Sequence, residues 1–392
     1  MAAETARRFQ ALEAQAGVIM SAFTAAGYEF VAPAIIQPAG VFLDVIGENL
    51  RARTYVFTDP EGEELCLRPD LTVPTCRLHM ERHPSADVRA RYCYNGPAFR
   101  FQPGGGSVVH PREFRQAGIE SFAASDREKA EAEVVALIVS ALKEAGLEQM
   151  KIRIGDLGLF RALLDAVDMP ERWRRRLRHQ FWRPEAFQQS LQALVDSPSH
   201  SAAGLPPELL GVIDSERPRE AEEAVASYLA NAGIELIGAR TIAEIAENLL
   251  TAAADAKADP LPQAAADLIE AYVGVTAPPK AAWARLRDIM NERNVDISDA
   301  LDTFRRRLDL LAQQGVEISH CEFSGDFGRS LEYYTGFVFE IVSPLLGPES
   351  PIAGGGRYDG LLRSVGAPHD VPAVGSAIHT ERLLEAVTGE SA

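Results

Sequence analysis

Residues Gly354–Arg382 read GGGRYDGLLRSVGAPHDVPAVGSAIHTER. The triple glycine that opens this stretch, with Arg357, Tyr358, Asp359 and Gly360, offers a possible phosphate cradle. No P-loop spacing surrounds it. The chain runs only ten residues past Arg382, too few for another domain.

Outward from this stretch, YYTGFVFEIV and VEISHCEF upstream carry strand signals, and RSLEYYTG from Arg329 is the most specific string in the chain. Two adjacent tyrosines on a strand face opposite ways, so only one of Tyr333 and Tyr334 is expected to line a given pocket. Their alternative role is an aromatic pair packed in the core. Leu301, Phe304, Leu308 and Leu311 form a helical stripe closed by Gly315. At the other end of the chain, Phe9, Leu12, Ala16, Ile19 and Phe23 share one helical face, with Gly27 as the stop. YEFVAPAII predicts an edge strand carrying Pro33. TYVFTDPEGEELCLRPD predicts a hairpin turning at Asp59-Pro60-Glu61-Gly62. RARYCYNGPAFRFQ and HPREFRQAGIESF predict two further strands, separated by the flexible Pro103-Gly104-Gly105-Gly106 loop. A helix over 127–145 and a strand at KIRIGD follow. Antiparallel strands with few crossover helices give an α+β fold class.

The character changes near Asp165. Alanine, glutamate and leucine dominate to about Asn294, and Ile242, Ile245 and Leu249 share a helical face. The expected organisation is a core over 1–164, a mainly helical insertion over 165–297, and the rest of the core over 298–392. No internal repeat is present.

The composition, 46% apolar and 24% charged over 392 residues, is that of a globular protein of two or three compact units. A net charge of −17 argues against a broad nucleic-acid footprint. Cys66, Cys76, Cys93 and Cys321 lack any metal-ligand spacing and read as buried thiols in a cytoplasmic protein. No metal or cofactor is expected. MAAETARRFQALEAQ has no apolar signal core, and no apolar run approaches the roughly 20 residues that span a bilayer. The basic run ERWRRRLRH, Glu171 to His179, suits either nucleic acid or a solvated or partner-facing helix surface.

The chemistry-bearing residues cluster in a few strings. Arg100 in AFRFQ sits beside the glycine loop, where a guanidinium can fork onto a phosphate or carboxylate; alone it also suits a surface ion pair. Gln116, Gly118 and Glu120 alternate on one strand face, with the glycine leaving room for a ligand against the sheet. Asp70 in RPDLT and Glu120 could hold an α-ammonium or an imidazolium. The competing view is a polar outer face of an antiparallel sheet.

LRPDLTVP, PAFRFQ, REFRQAGIESF, GRSLEYYTG, GGGRYDGL and VGSAIHTER, in this order, resemble histidyl-tRNA synthetase over roughly residues 5–160 and 298–385. The resemblance implies a class II aminoacyl-tRNA synthetase-like antiparallel sheet flanked by helices. It also implies that Asp70, Thr72, Gln116, Glu120, Tyr333 and Tyr334 match histidine-binding positions. Arg100 and Arg382 match the two class II arginines that hold ATP phosphates, and Arg329 matches the histidyl enzyme's own catalytic arginine.

The chain departs from the synthetase at three places. Gln102 replaces a motif 2 glutamate, removing a pure acceptor for the adenine amino group. His379 replaces a motif 3 glycine that lets the nucleotide approach the backbone. No anticodon domain follows, so no tRNA partner is expected. The nucleotide residues Arg100, Gln102, His379 and Arg382 are therefore expected to be vestigial, while the histidine pocket is kept. This pattern is similar to that of the ATP phosphoribosyltransferase regulatory subunits of histidine biosynthesis. That resemblance implies a non-catalytic subunit that binds L-histidine, self-associates as a homodimer, and joins a short-form catalytic subunit in a hetero-octamer. The runner-up is a truncated histidyl-tRNA synthetase or an adenylating homologue.

Overall fold

The computed structural model describes residues 5–43, 51–106, 111–196, 218–232, 241–328 and 333–389. The chain forms two compact units, Met1–Ala166 with Tyr272–Ala392, and Val167–Ala271. The helical insertion was expected over 165–297; residues 272–297 instead pack with the first unit.

The first unit is built on a nine-stranded sheet. Its strands, in chain order, are β1 (Glu29–Phe30), β5 (Ala90–Phe99), β6 (Glu113–Phe122), β7 (Lys151–Asp156), β8 (Thr276–Ala277), β9 (Cys321–Ser324), β10 (Phe337–Val342), β11 (Ala353–Arg357) and β12 (Ala373–His379). Across the sheet they run β1-β5-β6-β12-β11-β10-β7-β9-β8. Pairing is antiparallel except for β1 with β5 and β7 with β9. A separate three-stranded sheet holds β2 (Ile36–Pro38), β4 (Glu64–Leu67) and β3 (Tyr55–Thr58). Its β3–β4 hairpin turns at Asp59, whose side chain and carbonyl accept from the Glu63 and Gly62 N–H groups.

Helices Ala6–Ala25, Arg127–Glu144 and Ser298–Gln313 supply apolar faces. Leu12, Ala16, Ile19 and Phe23 are buried as their spacing predicts, but Phe9 is 45% exposed and lies beneath the Arg115 guanidinium. It sits within the first turn of the helix, past the end of the covered stripe. Asp126 caps the second helix by accepting from the Lys129 N–H.

At the back of the sheet lies a buried ion cluster. Glu131 receives Arg307 Nε at 2.5 Å and Arg357 Nε, Arg307 also reaches Asp156 at 2.5 Å, and Arg357 reaches Asp359 at 2.8 Å. It ties helices Arg127–Glu144 and Ser298–Gln313 to β7 and β11.

The second unit is helical: Glu171–Gln180, Pro184–Asp196, Pro218–Asn231, Ile242–Ala256 and the start of Gln263–Val273. The basic run proves to be an internal fastening. Asp255, fully buried, accepts from Arg172 and Trp173 at 2.6 Å and from Arg176 at 2.5 Å. Arg174 and Arg178 pair with Glu171. Four of the five arginines in this helix are thus engaged within the unit, while Arg175 is exposed.

Candidate amino-acid pocket on the central sheet

The site is built on three adjacent strands. On β6, Phe114, Gln116, Gly118 and Glu120 share one face by the period of two. Register places Gly96, Tyr94 and Tyr92 of β5 opposite Gln116, Gly118 and Glu120. On the other flank, His379, Ala377 and Gly375 of β12 stand opposite the same three residues. Two glycines allow this strip to form. A Cβ on Gly118 would lie 2.5 Å from the Tyr94 hydroxyl, and one on Gly375 would land on the Glu120 carboxylate.

Glu120 is completely buried. It accepts from the Tyr94 hydroxyl at 2.9 Å and from the Tyr358 hydroxyl. Burial pushes its pKa up to about 8, against the opposing pull of the Tyr358, Thr72 and Tyr94 hydroxyls. Thr72 lies 3.5 Å from the Tyr94 hydroxyl, at the start of helix Thr72–Arg82.

Asp70 precedes that helix and divides its carboxylate between two tasks. Oδ1 accepts from the Val73 N–H at 3.2 Å, while the buried Oδ2 has no partner. Burial raises its pKa, opposed by the Val73 N–H and by Arg100 and Arg68. Gln116 Oε1 is a second buried acceptor without a donor. The two unpartnered acceptors leave a demand for hydrogen-bond donors at this strip.

Tyr333 and Tyr334 differ from expectation. They sit in a turn before β10, where strand alternation does not operate. Their rings are 4.8 Å apart and both pack on Tyr358, with centroids 5.8 and 6.4 Å away. Both tyrosines therefore face the same cluster. Arg329 lies outside the described residues. Tyr94 and Gly375 were not singled out from sequence, and Tyr358 was named only as part of the phosphate cradle; the alternation Gly354, Gly356, Tyr358 was the available signal.

The triple glycine is no phosphate cradle. Gly354–Gly356 lie within β11, hydrogen-bonded between β10 and β12, so their N–H groups serve the ladder.

At the Phe114 end of the strip two other predicted residues, His379 and Arg100, meet. The His379 ring stacks on Phe114 at 4.6 Å and 24°, and the Arg100 guanidinium lies 4.9 Å from the same ring. Arg100 Nε also donates to the Pro69 carbonyl, and Arg382 donates to the Pro351 carbonyl at 2.9 Å. Gln102 is turned into the chain: it accepts from Arg53 at 2.6 Å and donates to the Pro111 carbonyl.

A family model described as histidyl-tRNA synthetase matches residues 3–205 and 248–383. A curated protein of Brucella anthropi, called ATP phosphoribosyltransferase regulatory subunit, is 34% identical over 91% of this chain and 92% of its own length. One of Brucella canis with the same description is 34% identical over 92% and 94%. The chain belongs to the ATP phosphoribosyltransferase regulatory subunit family. Among solved structures, a Bacillus halodurans protein described as ATP phosphoribosyltransferase regulatory subunit/histidyl-tRNA synthetase matches with a TM-score of 0.69 and 21% identity. That match covers 100% of this chain and 82% of that one. A histidine–tRNA ligase subunit of Alicyclobacillus acidocaldarius matches with a TM-score of 0.61 and 23% identity, over 99% and 96%. These two likenesses establish the class II synthetase-like fold of the family member described here.

Proposed function

We propose that this chain is the regulatory subunit of an ATP phosphoribosyltransferase, the first step of L-histidine biosynthesis, and that it binds L-histidine on the β6 strip. The observation that carries the ligand is the pair of unpartnered buried acceptors, Asp70 Oδ2 and Gln116 Oε1. They suit an α-ammonium. Glu120 keeps lone-pair capacity beyond its two phenol donors and suits an imidazole N–H. The Tyr333, Tyr334 and Tyr358 rings supply a planar aromatic wall.

In this reading the subunit is non-catalytic and cytoplasmic. Arg100, Gln102, His379 and Arg382 are the remains of a nucleotide site and bind no tRNA-charging substrate. Arg329 belongs with the histidine-binding residues. The chain pairs with itself through residues 27–42, where Phe30, Ile35 and Ile36 are 55%, 41% and 51% exposed. Two or more such dimers meet the short-form catalytic subunit in a hetero-octamer. Ligand binding here would bias one quaternary state through its differential affinity.

The test is co-expression with a short-form catalytic subunit. A homodimer should sediment when the chain is alone, and a larger mixed assembly should appear with the partner. Transferase activity should depend on the mixture and fall with L-histidine. A monomer that leaves the partner's mass and activity unchanged would refute the assignment.

A further inference from the structure

Glu120 is closed in by groups that leave it no charge partner. Tyr94 reaches it from β5 and Tyr358 from the segment after β11, each phenol donating to one of its two oxygens. Asp70, Thr72 and Cys76 face it from the chain around the start of helix Thr72–Arg82. The Tyr92 hydroxyl, on its other β5 neighbour, is occupied with His79 Nδ1 at 3.3 Å, and Tyr28 before β1 senses the carboxyl electrostatically. On β12 its register partner is Gly375, whose missing Cβ lets that strand close onto the carboxyl. None of these groups is a cation, and Asp70 is a second carboxyl. Burial pushes Tyr94, Tyr358 and Cys76 well above their ordinary values, so they stay neutral. A carboxyl with no exposure and no cation beside it keeps its proton. Its acid O–H is then a donor, and the two phenols already spend their hydrogens on the same group. The acceptor has to come from the ligand. An imidazole supplies one in the lone pair of its unprotonated ring nitrogen.

We infer that Glu120 holds one proton and passes it to the ligand's imidazole on binding, so that the pocket selects a basic ring nitrogen and binds most tightly near neutral pH. The carboxyl O–H bond breaks, the ring N–H bond forms, and no proton crosses to solvent. The product is an imidazolium against a carboxylate, with the Tyr94 and Tyr358 phenols still donating to the anion. The inference rests on the ligand reading above. The bound pair contains one proton. Below about pH 6.5 the free imidazole already carries its own, and binding must shed one. Above about pH 8, where burial has moved the Glu120 titration, the empty pocket has lost its proton and binding must take one up. Affinity therefore falls on both sides of a maximum between these values, by about tenfold per pH unit at each limit.

The experiment is calorimetric titration of the full chain with L-histidine from pH 5 to 9, for wild type, Glu120→Gln and Tyr358→Phe. Glu120→Gln has no proton to lose, so it should keep the acid limb and lose the carboxyl's share of the alkaline one. The ligand's α-ammonium titrates above about pH 8 with either protein. The quantity to read is therefore the ratio of the two Kd values, wild type over Glu120→Gln. That ratio should rise about tenfold between pH 7 and pH 9. Tyr358→Phe keeps the ring and removes one donor to the carboxylate, so its alkaline limb should begin at a higher pH than that of wild type. If Glu120→Gln fails to fold, this shift decides in its place, and an unmoved limb overturns the inference. A ratio constant within about twofold across the same range also overturns it and leaves the ligand reading standing. If no form binds L-histidine at any pH, the ligand reading fails and the inference falls with it.

Discussion

At the scale of single residues, Glu120 governs the site. A carboxyl group with no exposure is disfavoured in its charged form, and Tyr94 and Tyr358 offset only part of that cost. Its pKa moves from an ordinary 4.5 to about 8 in the folded chain. The folded state therefore binds more protons than the unfolded state between those values, and stability falls as pH rises through that window. The contribution is fully present below about pH 4.5 and amounts to about 5 kcal/mol at its limit. Denaturant melts of wild type and Glu120→Gln from pH 5 to 9 should differ in slope, the variant lacking this loss. Parallel curves would show that Glu120 titrates normally. The alternation of Gln116, Gly118 and Glu120 was legible in the sequence because a strand's period is short. Tyr94 and Tyr358 were not, because their partnership with Glu120 spans 26 and 238 residues. The Tyr333–Tyr334 pair misled because alternation applies only inside a strand.

At the scale of elements, the ion cluster around Glu131 holds the back of the pocket. Thr335 donates its N–H to the Arg357 carbonyl at 2.8 Å and its hydroxyl accepts from the Asp359 N–H at 3.1 Å, so the tyrosine turn and Tyr358 are clasped together. Arg357 and Arg307 fasten that clasp to Glu131, which their guanidiniums hold below the usual carboxylate range despite the cost of burial. Glu131→Ala would leave two buried guanidiniums short of a partner, at a cost of about 3–5 kcal/mol. Thermal or denaturant unfolding should register the loss; a change under about 1 kcal/mol would mean that Asp156 and Asp359 suffice alone. Helix Arg127–Glu144 itself was expected from the sequence over 127–145. The role of Glu131 was not, since its partners lie 176 and 226 residues away. The basic helix Glu171–Gln180 makes the same point, because its charge was visible and its buried Asp255 partner was not.

At the scale of the molecule, the order of short strings carried the fold, and the family follows from likeness over nine-tenths of the chain. The helical unit's extent was harder to read, because helix Pro279–Glu292 follows it in the chain yet packs with the sheet unit. The proposed regulation joins the scales: a ligand held by Asp70, Gln116 and Glu120 on one subunit lowers the activity of another. Coupling of this kind is reciprocal, so weakening the pocket must weaken inhibition in proportion. The most direct measurement is the L-histidine inhibition curve of the assembled complex carrying Glu120→Gln, which keeps the side chain's shape, beside wild type. Losing the Glu120 carboxyl, which a bound cationic group would draw into its ionised form, at about 2 kcal/mol or more should move the half-inhibitory concentration upward at least about 30-fold, with uninhibited activity preserved. An unchanged curve would contradict the proposal and place the inhibitory site elsewhere.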